Sequence, residues 1–377
     1  LNGHVSDIIP IDIVSIGGKV LEKKEKETLT VDIQQKEIAS ENSKSVSYKW
    51  LMVTVILGLI IVIGFFFIGD FKENLSVFKN IDFFWFSLCG LCLIIFWLSE
   101  SLTIYTTAKI SGVNLSLRKA IETNMVGQFY NSVTPFASGG QPMQVIRLYR
   151  LGIDVSKATA ILMSRFLIYQ TSITILGVFI MCTFFDKMNS LPSFSILAIF
   201  GFIINSAVIF FLFIFSFSPI ITRKIFDFIL FVVSPFKFGK KMKSCEDKWI
   251  EKIGEFHTAM KNLGQSPFKL LIAFAFTAIQ IFFYFSIPYC IYRMLEPALI
   301  SFSEIFSFQG ILFLIISFIP VPGAGGAAEG GFYLFFKNFF SPTNIAGAVI
   351  IWRIMSYYMN IFIGAPFALR IPKKSNP

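Results

Sequence analysis

The chain has 377 residues, with 55% apolar, 15% charged and a formal net charge of +10. So few charges cannot cover a soluble surface, so these figures exclude a water-soluble globular domain and point to a membrane protein. In that class the positive charge reads as an orientation signal on cytoplasmic segments, not as a nucleic-acid footprint.

Residues 1–48 are polar and mixed in charge, with a Lys-Lys-Glu-Lys-Glu run at 23–27, and are expected to form a disordered cytoplasmic tail. Residues 49–374 are expected to form one integral membrane domain. Its first two spans are Trp50–Gly69 and Phe83–Thr107, the second carrying Glu100 near its end. A less hydrophobic stretch, Ala120–Leu151, follows. It is interrupted by the break Thr-Pro-Phe-Ala-Ser-Gly-Gly-Gln-Pro at 134–142. Thr159–Phe185 is a third span and carries Arg165. Phe194–Phe217 is a fourth. Residues 218–267 read as a basic cytoplasmic loop, too short for a catalytic fold. Phe268–Tyr292 is a fifth span. Phe302–Ile319 meets a second break, Pro-Val-Pro-Gly-Ala-Gly-Gly-Ala-Ala-Glu-Gly-Gly at 320–331, and resumes as Gly330–Phe340. Asn344–Leu369, carrying Arg353, is the last span.

Basic residues gather before Trp50, between Thr107 and Thr159, between Phe217 and Phe268, and after Leu369. Placing these segments inside puts both termini in the cytoplasm of a multi-pass plasma-membrane protein. Parity then forbids a single span in either broken interval, since each starts and ends on one side. Two hairpins satisfy it: Leu117–Arg150 dipping in from the cytoplasm and Phe302–Phe340 from outside. The expected fold is therefore an all-α polytopic membrane protein. It would have about six full spans and two oppositely oriented re-entrant helical hairpins in inverted repeats, an architecture of secondary transporters.

Broken backbone and charge are both costly in lipid, so their pairing marks a candidate substrate path. The tips Ser138, Gly139, Gly140 and Gly323, Gly325, Gly326 would offer backbone N–H groups to a lipid phosphate. Tight helix packing is the alternative role for these glycines. Arg165 and Arg353, each with a tyrosine four residues on (Tyr169, Tyr357), suit a phosphate through their planar forks, or snorkel to the interface. Their candidate partners are Glu100, Glu329 and the phosphate itself. Glu329 is either a protonatable gate or a fixed counter-ion. Asn124, Gln128 and Asn131 recur at helical spacing and line a polar cleft or bond between helices, with Gln141 nearby. Arg147 is expected at the cytoplasmic interface. Cys89 and Cys92 lie in an apolar run and read as packing residues. His4 and His257 have no ligand partners in sequence, so no metal or other cofactor is expected.

The segments Asn131–Arg147 and Pro320–Glu329 resemble two signatures of the flippase-like membrane domain of lysylphosphatidylglycerol synthases. The resemblance extends over about Trp50–Lys374. Longer members of that family carry a C-terminal synthase domain that makes lysyl-phosphatidylglycerol from lysyl-tRNA, and they flip the product outward. This sequence, ending at Pro377, is expected to be a short stand-alone member. The resemblance implies a membrane phospholipid as ligand, anionic or aminoacylated, and a separately encoded synthase or envelope enzyme as partner. The resemblance also suggests a phosphatidylglycerol lysyltransferase, and a non-transporting scaffold for cell-envelope synthesis, with purely structural hairpins, is a further reading. Many relatives have an acidic residue where Gln141 stands here. The sequence sets no oligomeric state.

Overall fold

The computed structural model describes residues 81–183, 192–234, 246–317, 319 and 321–370. The expected tail, the Trp50–Gly69 span and Lys373–Lys374 lie outside these residues. The described part is all-helical, and five of its helices are long and apolar enough to cross a membrane.

The centre is a pair of long helices, α1 (Phe83–Ile110) and α8 (Pro267–Leu295), packed along much of their length. Asp82 starts α1 by accepting from the Phe84 amide at 2.9 Å. Ring contacts Phe96–Tyr284 and Trp85–Tyr289 knit the two helices, and Cys89, Cys92 and Cys290 are buried with apolar side chains between them. Both helices are mostly apolar, and the polar residues in the second half of α1, among them Ser99, Glu100, Ser101 and Thr103, are buried inside the protein.

Each central helix leads into a broken helical hairpin and then a long helix. After α1 come α2 (Leu117–Val133), a 3₁₀ turn (Pro135–Ala137), α3 (Gly140–Arg150) and α4 (Val155–Thr183). After α8 come α9 (Phe302–Ile316), a 3₁₀ turn (Pro322–Ala324), α10 (Ala327–Phe336) and α11 (Ile345–Leu369). At 1.5 Å per residue, the 10 residues of α10 and 15 of α9 rise about 15 and 22 Å, short of a ~30 Å hydrocarbon core. The two turns share a backbone conformation residue by residue. Thr134 and Val321 are extended at φ −116° and −118°, a proline follows, and Phe136 and Gly323 are left-handed at φ 54° and 58°. Ala137 and Ala324 follow at φ 52° and 51°. The two turns pack against each other.

α2 is polar yet buried from Thr123 to Tyr130, which places protein and not lipid around it. It lies between α1, α3 and the C-terminal half of α11. Asn124 ties it to α1, donating to the Trp97 carbonyl at 3.0 Å and to Ser101 Oγ at 3.1 Å. Arg147 ties α3 to α2 through Glu122 and to the Arg370 carbonyl at 3.3 Å.

α5 (Pro192–Phe217) joins the bundle beside α4 and α9. The segment expected as a basic loop instead holds two helices, α6 (Pro219–Val233) and α7 (Glu246–Gly264). Phe256, Ala259, Met260 and Leu263 recur at helical spacing and bury one face of α7 against Ile110, Ala160 and Leu167. Lys252 of α7 bonds Asp154, just ahead of α4, at 3.1 Å.

Candidate functional site

The two arginines meet different partners. Arg165, ten residues into α4, is paired through Nη1 with Glu100 of α1, whose second oxygen accepts from Gln128 Nε2 of α2. One carboxylate thus joins three elements of the first half. Arg353 lies in α11, directly before a π-helical turn at Ile354–Tyr358. Its Nε donates to Glu329 at 2.6 Å and its Nη2 to the Gly323 carbonyl at 3.0 Å. The guanidinium carbon stands 4.5 Å from the Tyr357 ring centre. Glu329 is fully buried and its other oxygen accepts from the Gly326 amide at 2.7 Å. In the structure Glu329 stands as the counter-ion of Arg353. Neither arginine snorkels: their side chains are 11% and 5% exposed. Burying such charges is tolerated because each is paired and further hydrogen bonded.

The glycine tips are built by their own neighbours. The Gly139 amide donates to Thr134 Oγ1 at 2.9 Å and the Gly140 amide to Asn131 Oδ1 at 3.1 Å. Gly325 donates to the Pro322 carbonyl at 3.2 Å. A Cβ on Gly140 would lie 2.0 Å from Asn131 Oδ1, and one on Gly323 2.1 Å from the Tyr357 ring. Glycine is needed there for close approach. With these amides engaged inside the protein, side chains hold most of the remaining binding capacity.

A cavity of about 680 Å³ opens where the two turns meet. It draws on both halves. Of the residues expected to form the site, Ser138, Arg165, Gly323 and Arg353 line it, as do Gln128, Asn131, Gln141, Tyr169 and Tyr357. Gly139, Gly140, Gly325, Gly326 and Glu329 are not lining residues but hold the turns and Arg353 that are, while Asn124 and Arg147 are structural ties elsewhere. Arg147 is buried and ion-paired, not a free interfacial charge. Tyr357 crosses from one half to the other, its hydroxyl donating to the Ser132 carbonyl at 3.1 Å. Asn360 does likewise, accepting from Trp97 Nε1 at 2.8 Å.

Gln170, Asn205, Gln280, Tyr284 and Asn360 also belong to the lining, and sequence reading passed over them. For the four amides the signal was an uncharged polar side chain within an apolar span, which is less conspicuous than an arginine, and Tyr284 was one aromatic among many.

The family model for the lysylphosphatidylglycerol synthase transmembrane region matches residues 55–364. The chain belongs to that family. It is also similar to the UPF0104 membrane protein of Archaeoglobus fulgidus, at 26% identity over 330 residues, covering 83% of this chain and 94% of that protein. Both breaks, both arginines and the whole cavity fall inside the matched family region. This membrane protein thus has its polar site within the part that defines the family.

Proposed function

We propose that this protein takes a phospholipid headgroup into the cavity between its two broken hairpins and passes it across the cytoplasmic membrane. The hairpins re-enter from opposite faces as inverted repeats, with the basic segments, including α6 and α7, on the cytoplasmic side. The reading rests above all on one observation: two turns of matching backbone conformation meet over a single cavity that holds an arginine from each half. Helices too short to cross the hydrocarbon core account for the breaks, since each hairpin would enter the bilayer and return. The cavity supplies the polar path that a headgroup needs through hydrocarbon. The lumen-facing guanidinium nitrogens supply donors for its phosphate.

Reconstitution into liposomes with a headgroup-labelled phospholipid tests this. Faster exchange of label between leaflets than in protein-free liposomes is expected. Movement at the protein-free rate for every headgroup offered would remove the transport reading. Lysyl-lipid formation by the purified chain from lysyl-tRNA would replace it with the enzymatic one.

A further inference from the structure

The charges lining the cavity are lopsided in what they leave free. Glu100 and Glu329 each have both oxygens engaged, Glu100 by Arg165 and Gln128, Glu329 by Arg353 and the Gly326 amide. The arginines are not used up. Among the described residues Arg165 donates only through Nη1, and Arg353 only through Nε and Nη2. None of their other nitrogens is a sealed, partnerless atom, so these donors open to the cavity. A cationic headgroup entering here would meet two guanidinium groups and no uncommitted carboxylate. The Tyr357 face, which could otherwise hold an ammonium, already carries Arg353 at 4.5 Å.

The uncommitted neutral groups point the other way. Gln280, in the middle of α8, is only 5% exposed, lines the cavity, and makes no hydrogen bond to a described residue. Gln141 lines the cavity with its side chain likewise unbonded. Asn131 has only its oxygen engaged, leaving the amide nitrogen. A primary amide both donates and accepts, matching the dual character of a hydroxyl. Tyr169, Tyr284 and Phe313 also line the cavity; Tyr284 is already packed on Phe96 at 4.9 Å and Phe313 on Phe285 at 5.4 Å, so they add apolar wall beside the polar groups. The volume of about 680 Å³ falls within the ~300–1,000 Å³ range of sites that enclose a whole small molecule.

We infer that the ligand is a lipid with a phosphate-linked, hydroxyl-bearing headgroup, a polyol or sugar, and that the cavity rejects a lipid whose headgroup carries an aminoacyl ammonium. The phosphate lies at the free nitrogens of Arg165 and Arg353, and the hydroxyls lie at Gln280, Gln141 and Asn131. This rests on the cavity being a headgroup site, as proposed above, and narrows its chemistry.

The test uses the full chain in phosphatidylcholine nanodiscs, each doped with one lipid: phosphatidylglycerol, a glycosyl phospholipid, or lysyl-phosphatidylglycerol. Retained lipid is measured by native mass spectrometry. Retention of the two hydroxyl-bearing lipids at least tenfold above the lysyl lipid is expected. Gln280→Leu should weaken that retention roughly tenfold, the effect of one unmet hydrogen bond to a substrate hydroxyl. Gln141→Glu should raise lysyl-lipid retention by placing a free carboxylate in the cavity. Equal or better retention of the lysyl lipid by the unmodified protein overturns the inference and leaves the headgroup site standing. Retention of no doped lipid overturns both.

Discussion

The two halves of this protein solve one problem with different wiring. In the second half Arg353, Glu329, Gly326 and Gly323 form a closed set within the hairpin and the helix that follows it. In the first half Arg165 reaches out of its hairpin unit's last helix to Glu100 on the central helix, and Gln128 completes the bridge. The second arrangement holds its own turn in place. The first ties three elements together and leaves more of the guanidinium for a ligand. Matching backbone turns therefore do not mean matching roles: Arg353 latches its own turn, while under the proposed function Arg165 is the main contact for the ligand.

The largest separation between the halves should come from removing Glu329. Glu329→Ala leaves Arg353 buried without its counter-ion and the Gly326 amide without an acceptor, so about 3–5 kcal/mol of stability should be lost. Denaturant unfolding in detergent would show it, and adding Arg353→Met should recover most of the loss. Arg165→Met combined with Glu100→Leu should behave oppositely, folding normally while losing lipid movement in liposomes. If that double variant transports like the unmodified protein, the contact role of Arg165 is wrong.

Smaller effects probe the crossing between halves. Gly323→Ala drives a methyl against the Tyr357 ring and should cost about 1–3 kcal/mol through overpacking, whereas Gly330→Ala, with open space around its Cβ, should not. Tyr357→Phe removes the bond to the Ser132 carbonyl and should cost about 1 kcal/mol, read in the same unfolding assay.

The smallest effect lies where α7 meets the start of α4. Burial pushes the Asp154 carboxyl up, but the Ser156 amide and Lys252 outweigh it and hold the group below the usual carboxylate range. Burial likewise pushes Lys252 down, and bonds to Glu255 and Asp154 outweigh it, leaving Lys252 above its usual value. The stability from Asp154 is present above the ordinary carboxylate range and is lost as pH falls through its depressed value. That from Lys252 is present below the ordinary lysine range and is lost as pH rises through its raised value. Protease cutting near α7 should therefore be flat across neutral pH and rise modestly in acid, and Asp154→Asn should abolish the acid limb.

Much of this was legible in the residues. Arg165 and Arg353 announced themselves as charges in apolar runs, and Glu100 and Glu329 were the acids available to meet them. The turns were visible because glycine and proline interrupt helical periodicity. Other features lay beyond that reach. Which acid pairs with which arginine depends on helix rotation, which a chain of nearly uniform hydropathy does not encode. The π-turn after Arg353 has no proline or glycine to mark it. The tip amides looked free because their acceptors, Thr134 and Asn131, are ordinary polar residues until the turn folds them back. The α7 face was visible at Phe256, Ala259, Met260 and Leu263 but was masked by the surrounding lysines.

The most direct test uses a phospholipid with a photoreactive group on its headgroup, irradiated with the protein in a bilayer and mapped by peptide mass spectrometry. A headgroup site between the hairpins requires adducts in the middle of α8, around Gln280 and Tyr284, where the headgroup of a surrounding bilayer lipid cannot reach. Adducts confined to helix ends and to α6 and α7 would contradict it.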